Sequence, residues 1–501
     1  MKNLVSLRMG AWLIAPLLAS AICIARSGGD AKAFASILAL AALAFGFIFV
    51  RMRESDAPYA AHMDGLPPRR VPKPKIDRRT KSVIVAISLA NLIAATVEAT
   101  VWLSIGLLFV SAALTAWLAK PLFDYWRNRR HIQRAIESHA PVIAIPYGGR
   151  VYFHIPMWTP YIRRTGLPYI VVASTHERFK VMSVANSDPI VAPVKTAQMS
   201  AAFPKSLKVA LYVHNAPRNS RFLAYTWLTH VFLGHGESDK PGSTSESINQ
   251  FDIIVAAGQA NIDRFTAAGI EIPLSKFTIL GRPQTEDFKT AEVPINAVAQ
   301  PVVLYAPTWP HQEADKNKNL SSVFVGEPIL QRLLERGHTV IFRRHPAGRY
   351  NESGEEAIAR IDAMIAADAT RTGRPHVWGE AATDMPLAEA FNASHAMITD
   401  VSGIAADYMA TDKPLAMVAV QAGEPGEGGT ATIRFRERYP SSRAAYVIES
   451  DLATLDSTFD AMFGADPLAA GRSEQHRYFL GGFTGAASAQ AFIAFLRELA
   501  I

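Results

Sequence analysis

Residues 395–410 read HAMITDVSGIAADYMA: a short apolar run, a polar turn, and a stretch with helical character. The run is continuous rather than alternating, as expected of a strand buried on both faces. Asp400-Val401-Ser402-Gly403 ends it, and Ile404 onward has the spacing of a helix. Strand, turn and helix in succession are the unit of a parallel α/β sheet. The turn has two readings. A Ser-Gly pair opening a helix presents backbone N–H groups and the positive end of the helix dipole, which suits a phosphate. Alternatively, Asp400 or Ser402 is a plain N-cap for the first-turn amides. Asp407, on the same helix, faces either the core or a ligand.

The same unit recurs along the chain. PVIAIPYGG (141–149), PYIVVAS (168–174), KVALYVH (208–214), FDIIVAAG (251–258) and FTILG (277–281) form one series. After the proline-containing junction AEVPINAVAQP (291–301), VVLYAPT, TVIFRRHP, HAMITDVSG and PLAMVAV form a second. Two series in tandem predict an α/β fold with two Rossmann-like domains, 131–295 and 296–501, and a cleft between them. Ligands of such folds bind at the carboxyl ends of the strands.

Several polar motifs fall at such ends. In VFLGHGESDK (231–240), Gly234 and Gly236 flank His235, whose unperturbed pKa suits proton transfer near neutrality. A surface turn with a solvated histidine is the alternative. VVLYAPTW (302–309) brings Thr308 to a strand end as a phosphate-facing hydroxyl. VIFRRHP (340–346) ends in Arg343, Arg344 and His345. One of two adjacent arginines must face the cleft, and a guanidinium there clamps phosphate oxygens. His230, on an amphipathic element, reads as structural.

The first 130 residues differ in character. Gly10–Ala25 and Ala33–Val50 are apolar and bracketed by Arg8, Arg26, Lys32 and Arg51. Ser82–Ala119 is interrupted by one charge, Glu98, and fits two helices of about 16–19 residues turning there. The expectation is a transmembrane anchor over 1–130 of about four spans. A basic linker at 51–81, with Pro67, Pro68, Pro72 and Pro74, is expected to lack regular structure. The excess of Lys and Arg in that linker and after Lys120 puts the linker and the catalytic part on the cytoplasmic face of a multi-pass cell-membrane protein.

Composition excludes other classes. The formal charge of +7 on 501 residues is diffuse, and no nucleic-acid motif accompanies it. The single cysteine, Cys23, excludes an internal disulfide and a thiolate cluster. No H-x-x-x-H, D-x-D, P-loop or G-x-S-x-G motif is present, so neither a metal nor a cofactor is expected. Homo-oligomerisation is compatible with the sequence.

Taken in order, GHGESDK, FDIIVAAGQANIDRF, ILGRPQTEDF, VVLYAPTW, RRHP, MITDVSGIAADYM and HRYFLGGFTGAASAQAF resemble the CDP-glycerol glycerophosphotransferase family, the teichoic-acid primases and polymerases. The resemblance covers about Pro141 to Leu496. It implies the two-Rossmann GT-B architecture, with an acceptor domain at 131–295 and a nucleotide-donor domain at 296–501. His235 corresponds to the histidine of the family's His-Gly motif and His345 to that of its His-Pro motif; both are expected catalytic residues. Gly236, Lys240, Arg282, Thr308, Arg344, Asp400, Ser402, Gly403 and Asp407 are the expected substrate-binding set. The implied partners are a CDP-activated polyol donor and a lipid-linked acceptor at the membrane, with no nucleic acid. Where the family has Thr-Pro-Leu-Lys after His-Gly, this chain has Glu237-Ser238-Asp239-Lys240, and acceptor choice is expected to be written in Glu237-Ser238-Asp239. A sugar-nucleotide glycosyltransferase of the same architecture and a non-catalytic membrane scaffold are the alternatives.

Overall fold

The computed structural model describes residues 18, 21–22, 25, 58–67, 78–96, 101–149, 154–193, 199–240, 244–309, 319–345, 352–421 and 430–501. The chain divides into two compact units. One comprises Met1–Tyr152, Pro168–Lys208 and Ala216–Ala224; the other comprises Phe153–Leu167, Val209–Asn215 and Tyr225–Ile501.

In the first unit the strands β1 (Tyr59–Ala61), β2 (Ile143–Tyr147), β3 (Tyr169–Ala173) and β4 (Ile190–Ala192) lie in the order β1-β4-β3-β2. β2, β3 and β4 run parallel, and β1 is antiparallel to β4. Every residue of β2 and β3 is buried, which explains their unbroken apolar sequence. β1 lies inside the linker expected to be irregular. It is held by strand pairing and by Tyr59 stacked on His176 with ring centroids 3.9 Å apart.

The expected four-span anchor is not what the structure has: no helix among the described residues is long and apolar enough to cross a membrane. The runs Gly10–Ala25 and Ala33–Val50 lie outside the described residues, apart from four isolated positions. Ser82–Ala119 falls in two helices, Arg78–Thr96 and Val101–His139. The first opens with Arg78, Arg79 and Lys81, and its apolar part falls short of the ~20 residues a crossing needs. The second runs on through Lys120, Asp124, Arg127 and Arg130, and it buries Tyr125, Ile132, Ala135 and Ile136. Its apolar beginning is one end of a long helix that packs on protein. Hydropathy alone does not distinguish that from a separate span.

The second unit holds two parallel sheets. β5 (Val209–Tyr212), β6 (Thr229–Phe232), β7 (Ile253–Ala256) and β8 (Phe277–Ile279) follow one another in sequence order. β9 (Val302–Ala306), β10 (Thr339–Phe342), β11 (Ala396–Thr399), β12 (Leu415–Ala419) and β13 (Tyr446–Glu449) are arranged β10-β9-β11-β12-β13. Strand alternation divides the core of this second sheet. Leu304, Ala306, Met397, Leu415 and Met417 face one apolar layer, while Val303, Tyr305, Ile398, Ala416 and Val418 face the other. Helices cover both. Helix Glu352–Thr372 buries Ala357, Ile358, Ile361 and Ile365, one stripe at helical spacing. The chain steps from β10 across β9 to reach β11, so the strand order reverses between β9 and β11.

The C-terminal helices Arg472–Leu480 and Ala487–Leu499 return to the first sheet of this unit. Ser488 Oγ donates to the Leu280 carbonyl at 2.7 Å, and Phe492 packs on Trp158 with centroids 5.1 Å apart. They pass close to Gly258. A Cβ there would lie 2.5 Å from the Tyr478 carbonyl oxygen and 2.6 Å from the Phe479 carbonyl carbon, both main-chain atoms. Gly258→Ala is expected to destabilise the protein by about 1–3 kcal/mol through overpacking. Gly471→Ala, with nothing within 4 Å of the added carbon, should stay within about 0.5 kcal/mol. Denaturant unfolding of the two variants checks both.

Candidate functional site

The strands of the second unit end in polar residues, and the strand-order reversal between β9 and β11 is where a parallel sheet opens a crevice for ligands. Asp400 follows β11 and Thr308 follows β9. The Asp400 carboxylate is fully buried, and its Oδ2 accepts from the Thr308 amide at 2.7 Å and the Ser322 amide at 3.0 Å. Thr308 Oγ1 in turn receives a hydrogen bond from Lys240 Nζ at 2.6 Å. Lys240 comes from the turn after β6, so this chain of contacts joins the ends of three strands. His345, after β10, borders the same group: burial, then the charges of Lys240 and Arg343, lower its pKa to about 4. Burial lowers that of Lys240, and Asp400 opposes the shift.

Burial raises the pKa of Asp400 to about 6, against the pull of the amides and of Lys240. The folded state therefore binds this proton more tightly than the unfolded chain does. The resulting stabilisation is complete below the ordinary carboxylate value and is lost as pH rises through 6. The unfolding free energy of the native protein should fall relative to that of Asp400→Asn between pH 4 and 7. Parallel denaturant titrations of the two proteins at each pH measure it.

The His-Gly turn is held from several sides. Gly234 adopts a φ of 66°, open to glycine at little cost, and its carbonyl accepts from Trp158 Nε1 at 3.0 Å. The Glu237 carboxylate accepts from Arg264 Nη1 at 3.0 Å and from Asn261 Nδ2 at 2.9 Å. Asp239 accepts from Arg264 Nε at 3.2 Å and from the Ser441 amide at 2.6 Å. Both carboxylates expected to choose an acceptor are therefore occupied in fixing the turn. A Cβ on Gly403 would lie 3.3 Å from the Glu237 carbonyl, so the turn passes directly over the start of helix Gly403–Tyr408. Nothing lies within 4 Å of a Cβ built on Gly236, which leaves room beside the backbone there.

Of the two readings of the Asp-Val-Ser-Gly turn, the N-cap is not realised. Asp400 is engaged with Thr308 and Ser322, and Ser402 makes no capping bond; its Oγ lies 3.4 Å from Thr399 Oγ1. Arg343 is also committed, donating to the carbonyls of Ala382 and Met385, each at 2.5 Å. Arg344 is the more open of the pair: its side chain is 38% exposed, and the Glu355 carboxylate is 4.0 Å away. Arg282 and Asp407 face each other. Arg282 Nε donates to Asp407 Oδ1 at 2.7 Å and Nη2 to Oδ2 at 3.2 Å, with both side chains buried. Removing one charge would strand the other, so Asp407→Asn is expected to cost about 3–5 kcal/mol of stability. Arg282→Met with Asp407→Leu should recover much of that loss in the same unfolding assay.

Two residues in this region were not foreseen. His154 and His214 stand against His235, with centroids at 4.2 Å (154–235), 5.2 Å (214–235) and 5.5 Å (154–214). The usable signal was partial: His214 lies just after β5, as His235 lies just after β6. His154 lies far from both in sequence, so no spacing motif links the three. His230, read as structural, takes a hydrogen bond with Tyr212 Oη through Nδ1 at 2.9 Å and contacts the Tyr225 carbonyl through Nε2 at 3.2 Å.

Polar side chains gather at the carboxyl ends of parallel strands in this α/β protein, where ligands of such folds bind. Residues 279–427 match the family described as CDP-glycerol:poly(glycerophosphate) glycerophosphotransferase. The segment contains Arg282, Thr308, Arg344, His345, Asp400, Ser402, Gly403 and Asp407. No curated protein matches the chain. Among solved structures, the wall teichoic acid polymerase TagF is 12% identical, with 76% of this chain and 95% of that one covered and a TM-score of 0.43. A UDP-N-acetylglucosamine 2-epimerase from Listeria monocytogenes is 12% identical, covering 72% and 96%, with a TM-score of 0.44. S. aureus MnaA bound to UDP is 11% identical, covering 71% and 96%, with a TM-score of 0.44.

Proposed function

We propose that this chain transfers a polyol-phosphate unit, glycerol phosphate by the family segment, from a CDP-activated donor to the hydroxyl of a lipid-linked acceptor in teichoic-acid-type polymer synthesis. The observation that carries the proposal is the convergence of Lys240, Thr308, Asp400 and His345 on the strand-order reversal, beside the His-Gly turn. A diphosphate donor carries its charge where Lys240, Arg344 and the uncapped first turn of helix Gly403–Tyr408 offer positive potential.

An uncharged hydroxyl is a weak nucleophile, so a base must take its proton as it attacks phosphorus. His235 fills that role. The acceptor oxygen forms a bond to the phosphorus that bears the polyol, its proton passes to the imidazole, and the bond to the CMP oxygen breaks. CMP leaves with the electron pair, and the cationic groups around Thr308 and His345 balance its charge. The pKa of His235 is lowered to about 4 by burial and by His214 and Arg282, while a hydrogen bond to the Val213 backbone opposes the shift. Its exposed face lets solvent screen part of this effect, and a bound diphosphate raises its basicity further. At neutral pH the ring is therefore unprotonated and ready to accept.

His235→Ala is expected to keep donor binding and to lose turnover by about 10²–10⁴-fold. His345→Ala should impair both. Calorimetry with CDP-glycerol and mass analysis of the product measure the two effects; near-normal turnover of the His235→Ala enzyme would remove the base assignment. The acid limb of the kcat/KM profile should lie below the ordinary imidazole value, with a plateau through pH 6–8. Turnover of UDP- or GDP-sugars in place of CDP-polyols would replace the proposal with glycosyl transfer.

A further inference from the structure

His154, His214 and His235 each offer a ring nitrogen, and these atoms lie within 4.8 Å of one another. A tetrahedral zinc site holds its imidazole nitrogens about 3.4 Å apart, from Zn–N bonds near 2.0–2.1 Å. The rings are stacked, with interplanar angles of 14–23°. Rotation about their Cβ–Cγ bonds is needed to turn the lone pairs towards one centre and shorten the separations. The rings sit at different depths: His154 is buried, His214 is partly buried and His235 keeps an open face. An ion bound by all three would retain an open coordination position on the solvent side.

Three further observations suit a metal. Burial, before any other cause, holds all three imidazoles below their ordinary pKa, His154 to about 3, which favours the neutral form that ligates a metal. The Val213 backbone acts on the His235 ring, a contact of the kind that orients a ligating imidazole. The nearby Arg282 charge is matched by Asp407, which reduces its repulsion of a cation. An all-imidazole set without a carboxylate favours borderline ions such as Zn²⁺, Co²⁺, Ni²⁺ and Cu²⁺ over Mg²⁺ or Ca²⁺.

We propose that His154, His214 and His235 form a binding site for one zinc-class divalent ion, and that an ion bound there and a free base at His235 exclude each other. The first clause stands on the cluster alone; the second rests on the base assignment above. The site would make transfer sensitive to zinc, with reversal by a chelator.

The test uses the full chain with any polyhistidine tag removed. Co²⁺ is titrated while its visible d–d bands are followed, and Zn²⁺ is then added in competition. One equivalent of Co²⁺ with the intense bands of low coordination, displaced by Zn²⁺ and unaffected by excess Mg²⁺, is expected. His154→Gln, His214→Gln and His235→Gln should each weaken binding by about 100-fold or more, since even losing an outer-shell partner costs 10–100-fold. Circular dichroism screens the variants for folding; if buried His154→Gln fails to fold, the other two and the native titration still decide. Absence of a stoichiometric Co²⁺ or Zn²⁺ site in the native protein overturns the proposal, and so does binding that survives the substitutions. If the ion binds as expected but zinc leaves the transfer rate unchanged, the site stands and the mutual exclusion is overturned. Because the binding arm needs no substrate, its result is independent of whether glycerol phosphate is the group transferred.

Discussion

The Asp400 carboxylate holds the candidate site together. Taking an acid fully out of water is costly, and here the cost is offset by two main-chain amides and by a lysine brought in from another strand end. Each amide comes from a segment that would otherwise be a loose end, Thr308 after β9 and Ser322 ahead of helix Gly326–Glu335, while Lys240 after β6 donates to Thr308 Oγ1 and acts on the carboxylate through its charge. The carboxylate is therefore a fixed point about which backbone and side chains are arranged. It is also raised in pKa, because burial outweighs those partners. A group under this tension depends on its neighbours as much as they depend on it.

Several of the charges around it are spent on holding the site. Glu237, Asp239 and Arg264 lock the His-Gly turn; Arg282 and Asp407 neutralise each other; Arg343 ties β10 to the carbonyls of Ala382 and Met385. Lys240, Arg344, His345 and His235 are the groups that the proposed function assigns to the donor and the acceptor. Adjacent residues of one type thus have different roles. Arg343 and Arg344 are chemically identical, and only the presence of carbonyl acceptors beside one of them separates the two.

Much of the fold was legible because burial on both faces writes itself as unbroken apolar strands. β2, β3, β5, β9, β10, β11 and β12 fall on runs read from hydropathy and turn residues. The anchor was misread because hydropathy counts residue types without asking what they pack against: the apolar start of Val101–His139 belongs to a helix whose other half packs on protein. β1 was missed because its few residues take their conformation from β4 and from the His176 ring.

By itself the sequence determined the parallel α/β class and the strand-end positions of His235, Thr308, His345 and Asp400. Those follow from local periodicity, and a strand's end is set by the residues that stop it. Only the tertiary structure decided which of those ends meet, which charges are consumed in holding them, and that His154 and His214 join His235. Side-chain pairing depends on segments dozens to hundreds of residues apart, and their approach is fixed by the packing of whole sheets and helices.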